Sequence, residues 1–132
     1  MKLMLDTDIC IYLIKKHPIQ ILEKFRSFKV SDLGISSITL SELQFGVYKS
    51  QNISKNLETL NRFLLPLEIA YFDEDAAAKY GQTRANLERI GKLIGPMDLL
   101  IASHALSLGI ALVTNNQREF KRIQDLKTLN WA

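Results

Sequence analysis

Three acidic residues stand out by where they fall: Asp6 directly after a short apolar run, Glu42 one helical turn into a helical stretch, and Asp98 just behind Gly95-Pro96. Carboxylates gathered without a lysine among them repel. The usual resolution is a hard divalent cation that takes oxygen ligands, Mg²⁺ with Mn²⁺ as a substitute. Such an ion suits phosphodiester chemistry, because it lowers the pKa of a bound water and stabilises charge on phosphate oxygens; a second ion about 4 Å away would steady the leaving oxygen. Neither histidine nor cysteine is needed. Each acid also has a structural reading when taken singly. Asp6 and Asp8 suit a helix cap, Glu42 lies three residues after Thr39 as the return half of a capping box, and Asp98 sits where a helix dipole favours any acid. The chemical reading holds only where the fold brings them together.

The elements that must do this are legible in outline. An apolar run, Lys2 to Leu5, predicts a strand, and the apolar stretch after Asp6 predicts a helix that ends near Lys15-Lys16. Helices are predicted at Ile19 to Phe28 behind Pro18, from Thr39 to about Lys49, from Ser54 to Pro66, from Glu74 to Ile90 with Asp73 as cap, and from Met97 to Leu108. Between them fall short strands at Gly34 to Ser37, Leu67 to Ala70, Ile110 to Val113 and Leu126 to Thr128, with one helical turn around Glu119. Strands alternating with helices imply an α/β fold, a three-layer α/β/α arrangement round a short, mostly parallel sheet. In such a sheet ligands bind at the carboxyl ends of the strands. Asp6 and the pair Asn115-Asn116 follow strands directly, and Asp98 reaches the same edge from a helix that runs back across the sheet.

Composition narrows the class further. At 132 residues, 47% hydrophobic and 23% charged, one domain spanning 1–132 is expected, with no linker or repeat. The single cysteine, Cys10, excludes a disulfide framework and a zinc finger, and points to the reducing cytoplasm. No apolar stretch suits a signal peptide or a membrane span. A net charge of +3 permits a nucleic-acid partner without requiring one.

Four segments, in order, resemble one family closely: M-L-D-T-D-I-C-I-Y-L-I, I-S-S-I-T-L-S-E-L-Q-F-G, G-P-M-D-L-L-I-A-S-H-A and L-V-T-N-N-Q-R-E-F, followed by a closing N-W. The family is the PIN-domain ribonucleases, and within it the VapC-type toxins of bacterial toxin–antitoxin pairs. The resemblance implies catalytic residues at Asp6, Glu42, Asp98 and Asn116, with Asp6, Asp98 and Glu42 holding the metal. It implies Mg²⁺-dependent cleavage of structured RNA, tRNA anticodon loops among the targets, a halt to translation, a VapB-like antitoxin that fills the acidic cleft, and a homodimer. The chain departs from the family pattern twice. Asp8 replaces the usual asparagine and is read as a helix cap, and Asn116 stands at the fourth acidic position, where Glu119, one helical turn on, would compensate.

Thr7, Thr114 and Asn115 are candidates for positioning water or phosphate, although threonine at a strand end is also ordinary turn chemistry. Arg84 and Lys92, which bracket the approach to Asp98, are the favoured phosphate contacts among the basic residues. His17 is read as a turn residue, His104 and Cys10 as structural. Phe45, Phe63, Phe72 and Tyr80 are assigned to apolar stripes of the core. Three other functions compete: a phospho-accepting receiver domain, a weakened PIN-like module that binds RNA or protein, and a nuclease for branched DNA. The receiver is disfavoured because no aspartate follows the second or third strand and no lysine follows the strand at Ile110 to Val113.

Overall fold

The computed structural model describes residues 1–131. In chain order these form β1 (Leu3–Leu5), α1 (Thr7–Lys15), α2 (Ile19–Arg26), a short 3₁₀ turn (Val30–Asp32), β2 (Leu33–Ser36), α3 (Ser37–Tyr48) and α4 (Ile53–Leu64), then β3 (Glu68–Ala70), α5 (Glu74–Arg89), α6 (Pro96–Leu108), β4 (Ala111–Val113), α7 (Gln117–Phe120) and β5 (Thr128–Leu129). The sheet has the order β3-β2-β1-β4-β5 and is parallel at every pairing. The α/β class is as expected. No helix of the described residues is long and apolar enough to cross a membrane.

Side-chain alternation divides the core in two. Along β1, Leu5 faces a cluster shared with Ile9, Leu13, Leu43 and Leu60 of α1, α3 and α4. Met4 faces the opposite cluster, with Leu87, Leu99, Ala102 and Phe120 of α5, α6 and α7. Val113 and Leu112 of β4 repeat the split. Both faces of the sheet are therefore covered, which leaves only its two edges of strand ends open to chemistry.

Two caps differ from expectation. Ser36, not Thr39, caps α3: its hydroxyl accepts from the Ile38 amide at 3.1 Å, and the helix already begins at Ser37. Thr39 is buried inside the first turn, so Glu42 is not part of a capping box. At α1, Asp6 is the cap, Oδ1 accepting from the Ile9 amide at 2.9 Å, while Asp8 lies within the first turn. Both errors have one origin, since a strand that runs directly into a helix leaves no loop to mark the boundary.

The aromatic assignments divide as well. On α3 the buried positions are Thr39, Leu43 and Val47, four apart, so Phe45 falls on the outer side and is 66% exposed. On α5 the inward residues are Ala76 and Leu87, while Ala77 and Ile90 face out. Phe63, Phe72 and Tyr80 are half-buried, in keeping with the expected stripes.

Candidate functional site

The carboxyl edge of the sheet gathers the acids. Asp6 leaves the end of β1 with its backbone tied to β4, the amide donating to the Val113 carbonyl at 3.0 Å. The residue is 4% exposed, and one carboxylate oxygen is committed to the α1 cap while the Thr114 hydroxyl bonds the group as well. Burial is the main reason that its pKa is pushed up to about 6; the Thr114 and Ile9 bonds work against this, and the charges of Asp8 and Asp98 add to it. Asp98 stands in the first turn of α6, set there by Gly95 at the cap and Pro96 at the first position. Its pKa is also raised to about 6, first by burial, then by the charges of Glu119, Glu42 and Asp8, with a side-chain hydrogen bond to Glu119.

These couplings draw five acids from four helix starts and strand ends to one edge: Asp6, Asp8, Glu42, Asp98 and Glu119. None of the ion pairs among the described residues reaches them. Glu42 is oriented from the side, Thr7 donating its hydroxyl to Oε1 at 2.5 Å and lying 3.3 Å from the Thr39 hydroxyl. Asn116 stands at the N-cap position of α7 without a side-chain capping bond; its amide group donates instead to Glu119 Oε2 at 3.1 Å, and its backbone amide is held by the Thr114 hydroxyl at 2.9 Å. Asn116 thus holds Glu119, and Glu119 is the acid that meets Asp98.

Among the described residues no three acids close round one point at ligand distance. They stand as neighbours that repel. The donor set is all oxygen, two of its members carry pKa values raised first by burial and then by neighbouring acids, and a hard divalent cation would offset both penalties. The residues fit such an ion.

The remaining candidates separate cleanly. Thr7 and Thr114 contact the cluster, whereas Asn115 and Lys92 are exposed. Arg84 is spent on its own helix, with Nε on Glu88 at 3.0 Å and a terminal nitrogen on the Tyr80 hydroxyl at 2.8 Å. Asp8 is a charged neighbour of Asp6 and Asp98, not the cap. His17 is exposed at its turn, and Cys10 is buried in α1.

Two supporting residues have roles that spacing did not reveal. His104 is 1% exposed; its Nδ1 lies 2.7 Å from the Ser36 hydroxyl, the ring also bonds the Tyr71 backbone, and Phe72 meets it edge-on at 5.4 Å. Burial lowers its pKa, so at neutral pH the ring is uncharged. It clasps α6, which carries Asp98, to the start of α3, which carries Glu42. Thr39 was taken for a cap and is the buried neighbour of Thr7. A hydroxyl at an inward position of a helix is the signal that could have marked it.

Comparison with known proteins agrees with the fold. The PIN domain model matches residues 3–126. The chain is 43% identical over 132 residues to the tRNA(fMet)-specific endonuclease VapC of Shigella flexneri, covering 100% of this chain and 99% of that one. It is 47% identical over 129 residues to ribonuclease VapC2 of Rickettsia felis, covering 97% and 96%. Among solved structures, DNA-bound VapBC from Salmonella typhimurium superposes with a TM-score of 0.94 at 45% identity, covering 100% of this chain and 99% of that chain. VapBC2 from Rickettsia felis, bound to a DNA fragment from the promoter, gives 0.93 at 45% identity with full coverage of both chains. With the four sequence segments, the parallel sheet and the acids at its carboxyl edge all accounted for, the chain belongs to the PIN-domain family, among the VapC ribonucleases.

Proposed function

We propose that this protein is a Mg²⁺-dependent endoribonuclease, the toxin of a VapBC-type pair, acting in the cytoplasm on structured RNA and so inhibiting translation. The observation that carries the reading is the set of uncompensated acids that Asp6, Glu42, Asp98 and Glu119 form at the sheet edge. The Shigella relative, named for tRNA(fMet), makes an anticodon loop the first substrate to try. Asp6, Asp98 and Glu42 are the proposed metal ligands, Mn²⁺ being a substitute. Bound there, the ion would supply a water of lowered pKa and charge stabilisation for the phosphate oxygens.

The protein's own part is positioning. Asp6 keeps one oxygen in the α1 cap and bonds the Thr114 hydroxyl as well, so its direction is set by β4 and the start of α1. Thr7 holds Glu42 in one rotamer. Asn116 acts on the site through Glu119, whose carboxylate it steers toward Asp98. With Glu119 supplying the fourth acid, the neutral Asn116 gives no reason to read the chain as a weakened binding module. We further propose one nuclease domain over 1–132, a homodimer, and a VapB-like antitoxin as partner; VapBC complexes are the relatives' solved form.

The test is incubation of the purified protein with total tRNA. Cleavage at one or a few sites is expected with Mg²⁺, none with EDTA, and cleavage about 10³-fold slower for Asp98→Asn. Products that persist in EDTA, or a variant that cuts at the wild-type rate, would overturn the reading.

A further inference from the structure

The residue that sequence patterning placed in the core and the structure places outside it, Phe45, lies at the mouth of a groove of about 700 Å³ between α1, α3 and α4. One end of this groove is walled by Thr7, Asp8 and Glu42 of the acid cluster, and its flanks carry Lys15 and Lys49. On α3, Glu42, Phe45 and Lys49 follow at helical spacing on one face. The Lys49 ammonium stands 5.1 Å from the Phe45 ring centroid.

Along the groove the charge therefore changes sign, from acids at the start of α1 and α3 to a lysine at the end of each, Lys49 standing over the exposed aromatic ring. That order suits a polyanion whose flat, uncharged units alternate with phosphates. Single-stranded nucleic acid is held by this pairing of stacking platform and cation. Bases outside a helix, as in a loop, are the ones free to stack on an aromatic side chain. We propose that Phe45, with Lys49 beside it and Lys15 on the same groove, is a stacking subsite for the unpaired nucleotide next to the scissile phosphate. The proposal rests on the ribonuclease reading and adds the contact that would register the loop on the acids.

The experiment compares wild type with Phe45→Ala, Phe45→Trp and Lys49→Gln on one tRNA substrate. Phe45→Ala is expected to raise KM by about 10- to 100-fold, the worth of one stacked base, with kcat at saturation little changed. Phe45→Trp should restore KM and report RNA binding as fluorescence quenching. Lys49→Gln should weaken binding and lower the salt dependence by about one counterion. The thermal shift produced by Mg²⁺ should be the same in all four proteins, because none of these residues belongs to the acid cluster. An unchanged KM in Phe45→Ala, or a loss that tryptophan does not restore, overturns the subsite. So does loss of binding to the antitoxin with RNA affinity intact, which would make the groove a protein dock. Affinity is also measured by anisotropy in Asp98→Asn with and without Phe45→Ala. If wild type cuts no RNA yet this affinity depends on Phe45, the cleavage reading fails and the subsite stands; if cleavage is normal and Phe45 has no effect, the reverse holds.

Discussion

The two edges of the one sheet treat charge in opposite ways. At the amino edge the charges are paired: the Met1 ammonium meets Glu68 at 3.0 Å, and Lys2 lies 3.9 Å from Asp32 while its amide donates to the Asp32 carbonyl at 2.7 Å. There β2 passes so close to β3 that a Cβ on Gly34 would meet the Glu68 carbonyl oxygen at 2.6 Å and collide with the Met1 side chain. At the carboxyl edge five acids share a small region and none has a cation for partner. The first edge is built for stability. The second gathers like charge that none of the described ion pairs offsets, the pattern expected of the proposed metal site.

The largest effect that separates the edges is on cleavage. Asp98→Asn should reduce the rate by about 10³-fold, the several kcal/mol that a metal centre contributes at tenfold per 1.36 kcal/mol, whereas Glu68→Gln should leave it unchanged; single-turnover assays on one tRNA read both. Next comes stability, with a sign opposite to the usual one. Asp6 is 4% exposed and its folded pKa is raised from 3.8 to about 6, so the folded state holds its proton more tightly than the unfolded state. Its favourable contribution is complete below about pH 4 and is lost as pH rises through 6. Metal-free Asp6→Asn should therefore be more stable than wild type at pH 7.5 by about 3 kcal/mol, at 1.36 kcal/mol per pKa unit, although it is inactive. Urea melts at pH 4 and pH 7.5 check this, and a wild type as stable at pH 7.5 as the variant would count against it. Added Mg²⁺ should narrow the difference at pH 7.5 by stabilising wild type alone.

At the amino edge, Gly34→Ala should cost about 1–3 kcal/mol through overpacking and leave Mg²⁺ binding intact. Thr7→Val, back at the carboxyl edge, should lower activity by about 10-fold, the usual size of losing a group that orients a ligand, with little change in melting temperature. Smallest is Glu68→Gln, which removes a pair whose acid is 56% exposed and should cost less than about 1 kcal/mol.

Much of the acidic edge was legible because its residues carry chemistry. Asp6, Glu42 and Asp98 were found from residue type and position, Glu119 from its place one turn after Asn116, and all meet at one edge. What escaped was local geometry. The cap of α3 was set three residues late because Ser36 ends a strand and opens a helix at the same residue. Phe45 was assigned inward because hydrophobicity alone does not distinguish position 45 from position 43 or 47; burial follows the four-residue spacing of Thr39, Leu43 and Val47. Arg84 was drawn toward the phosphate by its sequence neighbourhood, yet Glu88 and Tyr80 on the next turns of its own helix claim it. Competition of that kind is invisible until the rotamers are known.

The central place of β1 sets a clock on synthesis. Met4 pairs with Gly34 on one side but with Leu112 on the other, so the first strand made must wait for almost the last before the sheet can close. Asp6 is likewise separated by 113 residues from Glu119. At about 5–20 residues per second, a ribosome takes roughly 6–23 s to travel that distance. Throughout that interval the nascent chain holds its acids on segments that have not yet met, and the acidic edge is assembled only once α7 has been made.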